Sequence, residues 1–312
     1  MEKREYLVPD SLDGVRLDRA AAALDPSLSR ARLKRAIDEG AVKVNGRRRP
    51  KGAVVATGDT IVIDIGEVPN VDAPAVPEPD APLDVVFEGE GVVVVNKPAG
   101  MPTAPLRPGE TGTLANALVG HYPEIAGIGY SPRDPGLMHR LDNDTSGLVV
   151  AARSKEAFET LKAALDKGGI NKSYLLVCGS GIADRGTIEF PITNHPKDQR
   201  RVYACVHPRD VMRYAPRPAS TQYSVVKRSG GLALVEAKVA RALRHQIRVH
   251  FAALGFPLSG DTLYGGEPVP GLERHALHAS RIAFTGGPGV AKFDVTCDLP
   301  ADMAAIVAAA TP

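Results

Sequence analysis

Five prolines, Pro69, Pro74, Pro77, Pro79 and Pro82, fall within the short stretch from Glu67 to Pro82. Proline fixes φ and removes a backbone donor, so neither a helix interior nor a central strand runs through such a segment. The chain is therefore expected to fold as two pieces, residues 7–66 and 83–312, joined by a semi-rigid linker over 67–82. Its 312 residues suit this division, since they exceed the usual single core of about 100 to 150 residues.

The first piece reads as a compact helix and hairpin unit. Ser29 is placed as an N-cap, Leu33, Ala36 and Ile37 share one helical face, and Gly40 is placed to end the helix. Val42 to Val44 alternates as a strand into Asn45-Gly46, a tight-turn pair, and Gly58-Asp59 leads into a strand from Thr60 to Ile65. Between Leu28 and Lys51 lie nine cations, Arg30, Arg32, Lys34, Arg35, Lys43, Arg47, Arg48, Arg49 and Lys51, against two acids, Asp38 and Glu39. That local charge of +7, in a chain whose net charge is only +2, points to a polyanionic partner.

The second piece shows buried strands at Val92 to Val95, Gly147 to Ala152 and Ser173 to Cys178, and an alternating one at Ala233 to Val239. Helices are expected over Thr113 to Val119, Lys155 to Leu165 and His245 to Leu254, the last closed by Gly255 and Pro257. Strands outnumber helices without regular alternation, which predicts an α+β fold. We expect a mixed, mainly antiparallel sheet with flanking helices, preceded by a small α/β-hairpin domain.

Several function classes find no support. No apolar run approaches the roughly 18 to 20 residues that cross a bilayer, and the charged start Met1-Glu2-Lys3-Arg4-Glu5 is unlike a secretory signal, so a cytoplasmic protein is expected. Cys178, Cys205 and Cys297 are odd in number and form no C-x-x-C pair, so they are expected to be buried, reduced thiols. His245 and His250 stand five apart, not at the i, i+4 spacing of a helical zinc site, and no metal is assigned. Ser146 lacks the first glycine of a G-x-S-x-G elbow, which argues against a serine hydrolase.

The densest chemical signal is Met138 to Val150, a polar, turn-rich stretch running directly into a buried strand. It places Asp142 on a loop held by rigid structure, where catalytic groups are common; the plain alternative is a solvated turn. His139-Arg140-Leu141-Asp142 followed by Thr145-Ser146-Gly147-Leu148 closely resembles the signature of the RluA-type pseudouridine synthase family. Asn96-Lys97-Pro98-Ala99-Gly100, Lys172-Ser173-Tyr174, His245-Gln246-Ile247-Arg248-Val249-His250, Gly260-Asp261 with Tyr264-Gly265, and Leu277-His278-Ala279 agree in order. The N-terminal unit resembles the S-four RNA-binding module, through Arg16-Leu17-Asp18, Ser29-Arg30, Val44-Asn45-Gly46 and Gly58-Asp59.

The resemblance implies isomerisation of uridine to pseudouridine in a structured RNA, most often large-subunit ribosomal RNA, with transfer RNA as the alternative substrate. It implies that Asp142 is the essential carboxylate, acting as nucleophile or base. Arg248 is its implied ion-pair partner, and Tyr174 is implied to pack on the target ring. The target base must leave its stack, and Arg140 beside Asp142 is expected to fill the vacated space or hold a phosphate. RNA contacts are expected from Arg30, Arg32, Lys34, Arg47, Arg48, Arg49 and Arg244. An isomerisation loses no atoms or electrons, so no cofactor is expected, and the protein is expected to act as a monomer. The family usually has Thr-Gly-Arg before the His-Gln-Ile-Arg stretch, where this chain has Arg241-Ala242-Leu243 and then Arg244. The family often places a histidine after Asn-Lys-Pro, and Pro102-Thr103-Ala104-Pro105 has none. A non-catalytic RNA-binding or ribosome-assembly factor is the alternative from another class.

Overall fold

The computed structural model describes residues 3–64, 66 and 73–309, in two compact units. One runs to Pro74 and takes in Leu106–Glu110; the other comprises Ala75–Pro105 and continues from Thr111. Ile65, the expected end of an N-terminal strand, and residues 67–72 of the expected linker lie outside the described residues.

In the N-terminal unit the elements are β1 (Lys3–Leu7), α1 (Leu17–Leu24), α2 (Arg30–Glu39), β2 (Val42–Val44), β3 (Arg47–Arg48) and β4 (Thr60–Asp64). The strands form an antiparallel sheet in the order β1-β4-β2-β3. Ser29 caps α2 by accepting the Arg32 N–H at 3.1 Å, and Gly40 ends it in the left-handed region at φ 80°. The positive φ favours glycine at this position, and the flexible, exposed Arg48 side chain lies over it. Leu33, Ala36 and Ile37 bury their shared face against Leu17, Val42, Val44, Ile61 and Ile63. Each of the larger of these side chains stabilises the unit by about 1.5 to 3 kcal/mol on burial. Asn45 and Gly46 both have positive φ, 50° and 73°, the twist a two-residue hairpin needs.

The larger unit begins with β5 (Val85–Gly89), β6 (Val92–Lys97), α3 (Leu114–His121), β7 (Ser146–Ala152), α4 (Lys155–Asp166) and β8 (Ile170–Gly179). It continues with β9 (Arg185–Ile188), β10 (Ile192–Asn194), β11 (Val202–Ala204), α5 (Pro208–Tyr214), β12 (Thr221–Ser229) and β13 (Leu232–Lys238). It closes with α6 (Gln246–Ala253), β14 (Leu277–Phe284), β15 (Phe293–Thr296) and α7 (Ala301–Ala309). The main sheet runs β5-β6-β7-β14-β8-β13-β12-β9, with β15 also on β14, and β10 and β11 pair separately. Every neighbouring pair is antiparallel except β7 with β14. This is the α+β fold with a mainly antiparallel sheet that the sequence predicts. No helix among the described residues is long and apolar enough to cross a membrane.

Alternate residues of β6 face opposite layers, Val93 and Val95 toward Leu114, Leu118 and Phe251, Val92 and Val94 toward Phe158 and Leu161. Both faces of the sheet centre are therefore covered, and β7 is buried along its whole length, which explains its continuous apolar run. The described end of the expected linker differs from a spacer. Ala75 is core, its N–H donates to Pro132 O at 3.2 Å, Glu78 N–H donates to Asn116 O at 3.0 Å, and Asn116 Nδ2 donates to Val76 O at 2.7 Å. The prolines leave those carbonyls and few amides to bond, and Asn116 of α3 and Pro132 supply the partners. Cys178 and Cys205 are buried, but Cys297 is only half-buried, with Sγ 3.0 Å from His278 Nε2.

Gly147 links the candidate loop to β7 at φ 115°, and a Cβ there would collide with the backbone of Ala279 across the parallel pair. We expect Gly147→Ala to lower the unfolding free energy by about 2 kcal/mol or more, read from urea denaturation followed by far-ultraviolet circular dichroism.

Candidate active site

Residues 139–145 form a loop without regular structure, and hydrogen bonds hold its peptide groups one by one. Leu141 O accepts from Thr103 Oγ1 at 2.8 Å, and Asp142 O from Thr145 N–H at 3.1 Å. Asn143 O accepts from Lys97 Nζ at 2.9 Å and Gly100 N–H at 3.0 Å, and Asp144 O from Arg274 Nη1 at 3.1 Å. Four consecutive carbonyls are thus satisfied in a segment with no helix or ladder to satisfy them. Lys97 is fully buried, and its ammonium also donates to Pro98 O at 2.8 Å and Met101 O at 2.7 Å, so all three protons have acceptors.

Beneath the loop, Thr145 Oγ1 meets His275 Nε2 at 2.7 Å and Ser146 Oγ meets His278 Nδ1 at 2.9 Å. Burial, then the nearby Arg248 and Arg274 respectively, push these histidines from their ordinary 6.5 down to about 4. They serve as neutral hydrogen-bond partners near pH 7. Ser146 sits inside β7 and only 4% of it is exposed, so it is no exposed nucleophile.

Arg248, on α6, joins the loop to the rest of the site. Its Nε and Nη2 donate to Asp261 Oδ2 at 2.7 Å and Oδ1 at 2.8 Å, a two-point contact inside the protein. Its Nη1 donates to Asp142 Oδ2 at 2.9 Å. Burial opposes the charge on Arg248, but Asp261 and then Asp142 outweigh it and hold the guanidinium more firmly protonated than usual. The Arg248 guanidinium also lies 5.2 Å from the centre of the Tyr264 ring. Asp142 is partly exposed and opens on a cleft. Its lining includes Arg140, Tyr174, Leu243, His245, Ile247 and Arg248, a mixed apolar and polar wall. Tyr174, on β8, is buried; desolvation first, then the charge of Asp142, raise its pKa, so it enters the site as a neutral phenol.

Comparison with known proteins decides what this cleft belongs to. The family profile for RNA pseudouridylate synthases matches residues 91–253, and that for the S4 domain matches residues 15–61. The chain belongs to the RNA pseudouridylate synthase family. It is 36% identical over 274 residues to an uncharacterised RNA pseudouridine synthase of Synechocystis sp., covering 86% of this chain and 81% of that one. It is 34% identical to the ribosomal large subunit pseudouridine synthase D of Xylella fastidiosa, covering 98% of this chain and 92% of the relative. The enzyme of the same name from Yersinia pestis is also 34% identical, over 96% of this chain and 92% of that one. The fold is shared with the solved human RNA pseudouridylate synthase domain-containing 4, at TM-score 0.54 and 22% identity over 71% of this chain and 90% of that one. The synthase is an isomerase, with an S4 module at its N-terminus.

Within the synthase, Asp142, Tyr174, Arg248 and Arg140 line one cleft. Arg244 is engaged locally, its Nη2 donating to Gln199 O at 3.0 Å and Arg201 O at 2.8 Å, so it braces the loop between β10 and β11. Arg30, Lys34, Arg47, Arg48 and Arg49 are exposed on the N-terminal unit, and Arg32 is half-buried. Sequence reasoning gave no role to Lys97, Thr103, Asp261, Tyr264, Arg274 or His275. The signal for Lys97 was a lysine two residues past a run of four valines, and for Asp261 a lone acid after a glycine; neither names its partner.

Replacing Lys97 with methionine leaves the carbonyls of Pro98, Met101 and Asn143 without that donor. We expect Lys97→Met to lower the unfolding free energy by about 3 kcal/mol or more, and turnover to fall even in conditions where the variant is folded. Urea denaturation alongside a turnover assay checks both.

Proposed function

We propose that this synthase isomerises uridine in RNA of the large ribosomal subunit, with Asp142 as the reacting carboxylate. The observation that carries the reading is the Arg248 to Asp142 contact at 2.9 Å, which engages one carboxylate oxygen and leaves the other facing the Tyr174-lined cleft. The reaction breaks the base N1 to sugar C1′ bond, forms a C5 to C1′ bond, and exchanges a proton at C5 for one at N1. A single ionised carboxylate with a fixed counterion meets that demand.

Tyr174 supplies a flat apolar wall for the uracil ring, and its neutral phenol is suited to packing rather than to acting as a phenolate base. Arg140, exposed at the rim, fills the space the target base vacates or holds an adjoining phosphate. The names of the relatives, ribosomal large subunit pseudouridine synthase D at 34% identity across nearly the whole chain, support the substrate class. Arg30, Arg32, Lys34, Arg47, Arg48 and Arg49 contribute phosphate contacts from the S4 unit.

Pseudouridine mapping of total RNA tests this directly, in cells with the gene, without it, and with variants restored at equal protein level. A ribosomal site should vanish in the deletion, stay absent with Asp142→Asn and return only partly with Arg140→Ala. A lost site in transfer RNA would move the substrate, and unchanged maps throughout would favour a binding factor. Neutralising Arg47 and Arg49 as Gln in the full chain should lower the slope of log affinity against log salt by about 1.5. Filter binding across a salt series reads that change, and an unchanged slope removes the two residues from the interface.

A further inference from the structure

His245 stands outside the roles assigned above, yet its backbone is held in an unusual place. It precedes α6 at φ 53° and ψ 19°, a left-handed conformation that a non-glycine residue adopts at a cost of about 1 to 2 kcal/mol. Its side chain makes no capping bond to the helix it starts. The imidazole is strung between two other groups instead. Nδ1 lies 2.9 Å from Tyr264 Oη, and Nε2 lies 3.8 Å from Asp142 Oδ1.

The tautomer follows from the next bond along. The Val202 N–H reaches Tyr264 Oη at 2.9 Å, and an amide can only donate, so the hydroxyl accepts there and its own proton must go elsewhere. Among the described residues its other hydrogen-bond contact is His245 Nδ1. We assign the hydroxyl as the donor in that contact, which leaves the proton of the neutral ring on Nε2, facing Asp142. The ring is neutral because burial lowers its pKa from 6.5; Asp142 opposes, Arg248 and Arg244 reinforce, and Asp261 opposes again.

Asp142 Oδ2 is taken by Arg248, so Oδ1 is the oxygen left for substrate. We propose that His245 is a positioning residue for the isomerisation, its Nε2–H, fixed by the Tyr264 hydroxyl, holding Asp142 Oδ1 toward the target nucleotide. The proposal rests on Asp142 being the reacting carboxylate. A separation of 3.8 Å is longer than a hydrogen bond, and it closes when RNA fills the cleft, as contacts of catalytic groups commonly tighten on binding.

Long-range proton–nitrogen spectra of the full ¹⁵N-labelled chain report each imidazole's tautomer, and His245→Asn identifies the signals of residue 245. We expect a neutral ring protonated on Nε2 at pH 7, and a mixture of tautomers in Tyr264→Phe. A ring protonated on Nδ1, or doubly protonated, overturns the proposal. Asparagine tolerates the left-handed backbone, so His245→Asn also serves a kinetic test. Single-turnover release of tritium from C5-labelled uridine RNA should slow on the order of 10- to 100-fold while RNA affinity stays within about twofold. An unchanged rate, or a loss of affinity that accounts for the slowing, overturns the role. Asp142→Asn run in parallel separates the two readings. If it stays active, the carboxylate assignment fails and the role of His245 falls with it; if it is dead while His245→Asn is normal, only the histidine proposal fails.

Discussion

Arg248 is shared between two carboxylates, and the active site depends on how unequal the shares are. Asp261, buried, takes two of its donors in a planar two-point contact, while Asp142 receives one. Were the guanidinium paired with Asp142 alone, it would need a second partner to remain buried, because unmatched donors in a dry interior cost about 1 to 3 kcal/mol each. Asp261 satisfies that requirement and fixes the arginine's plane. The third contact then offers Asp142 a counterion on one oxygen without enclosing the other.

The same logic applies to the loop that carries Asp142. That loop has no regular structure, so helix or ladder bonds do not satisfy its backbone. Here each carbonyl from Leu141 to Asp144 has its own donor, drawn from Thr103, Thr145, Lys97 with Gly100, and Arg274. Rigidity is obtained one peptide group at a time. Lys97 is the centre of this arrangement, since one buried ammonium connects the loop to both ends of the turn after β6.

Much of this was legible in the sequence, and the limits have physical reasons. The amphipathic face of α2, its Ser29 cap, the Gly40 stop and the Asn45-Gly46 hairpin are local, and local patterns suffice to place them. The buried strands were visible as apolar runs, though a run does not say which strand pairs with which, so the parallel pairing of β7 with β14 was not. Asp142, Tyr174 and Arg248 came from motif resemblance, and the cleft unites them. Lys97, Asp261 and Tyr264 lay inside quoted motifs without roles, because a buried polar residue is explained only by its partners, and those are distant in the chain. Arg244 is expected from the sequence as an RNA contact, and its bonds to backbone carbonyls of a neighbouring loop are not visible there. The proline stretch is legible as a place unsuited to helix or central strand, while the anchoring of Ala75 and Glu78 depends on Pro132 and on Asn116 of α3, which are distant in the chain.

The partners of the catalytic loop carry a consequence for how the protein comes into being. Thr145 bonds to His275 and Asp144 to Arg274, each 130 residues further along, and Ser146 bonds to His278, 132 residues on. Asp142 leaves the ribosome long before these residues exist, whereas the strand pairings of the N-terminal unit lie within Lys3–Asp64. During synthesis the chain thus carries its basic module well before it carries a braced carboxylate. An interrupted product that stops short of Arg274 would hold Asp142 on a loop lacking three of its braces. Synthesis through β14 is what supplies them.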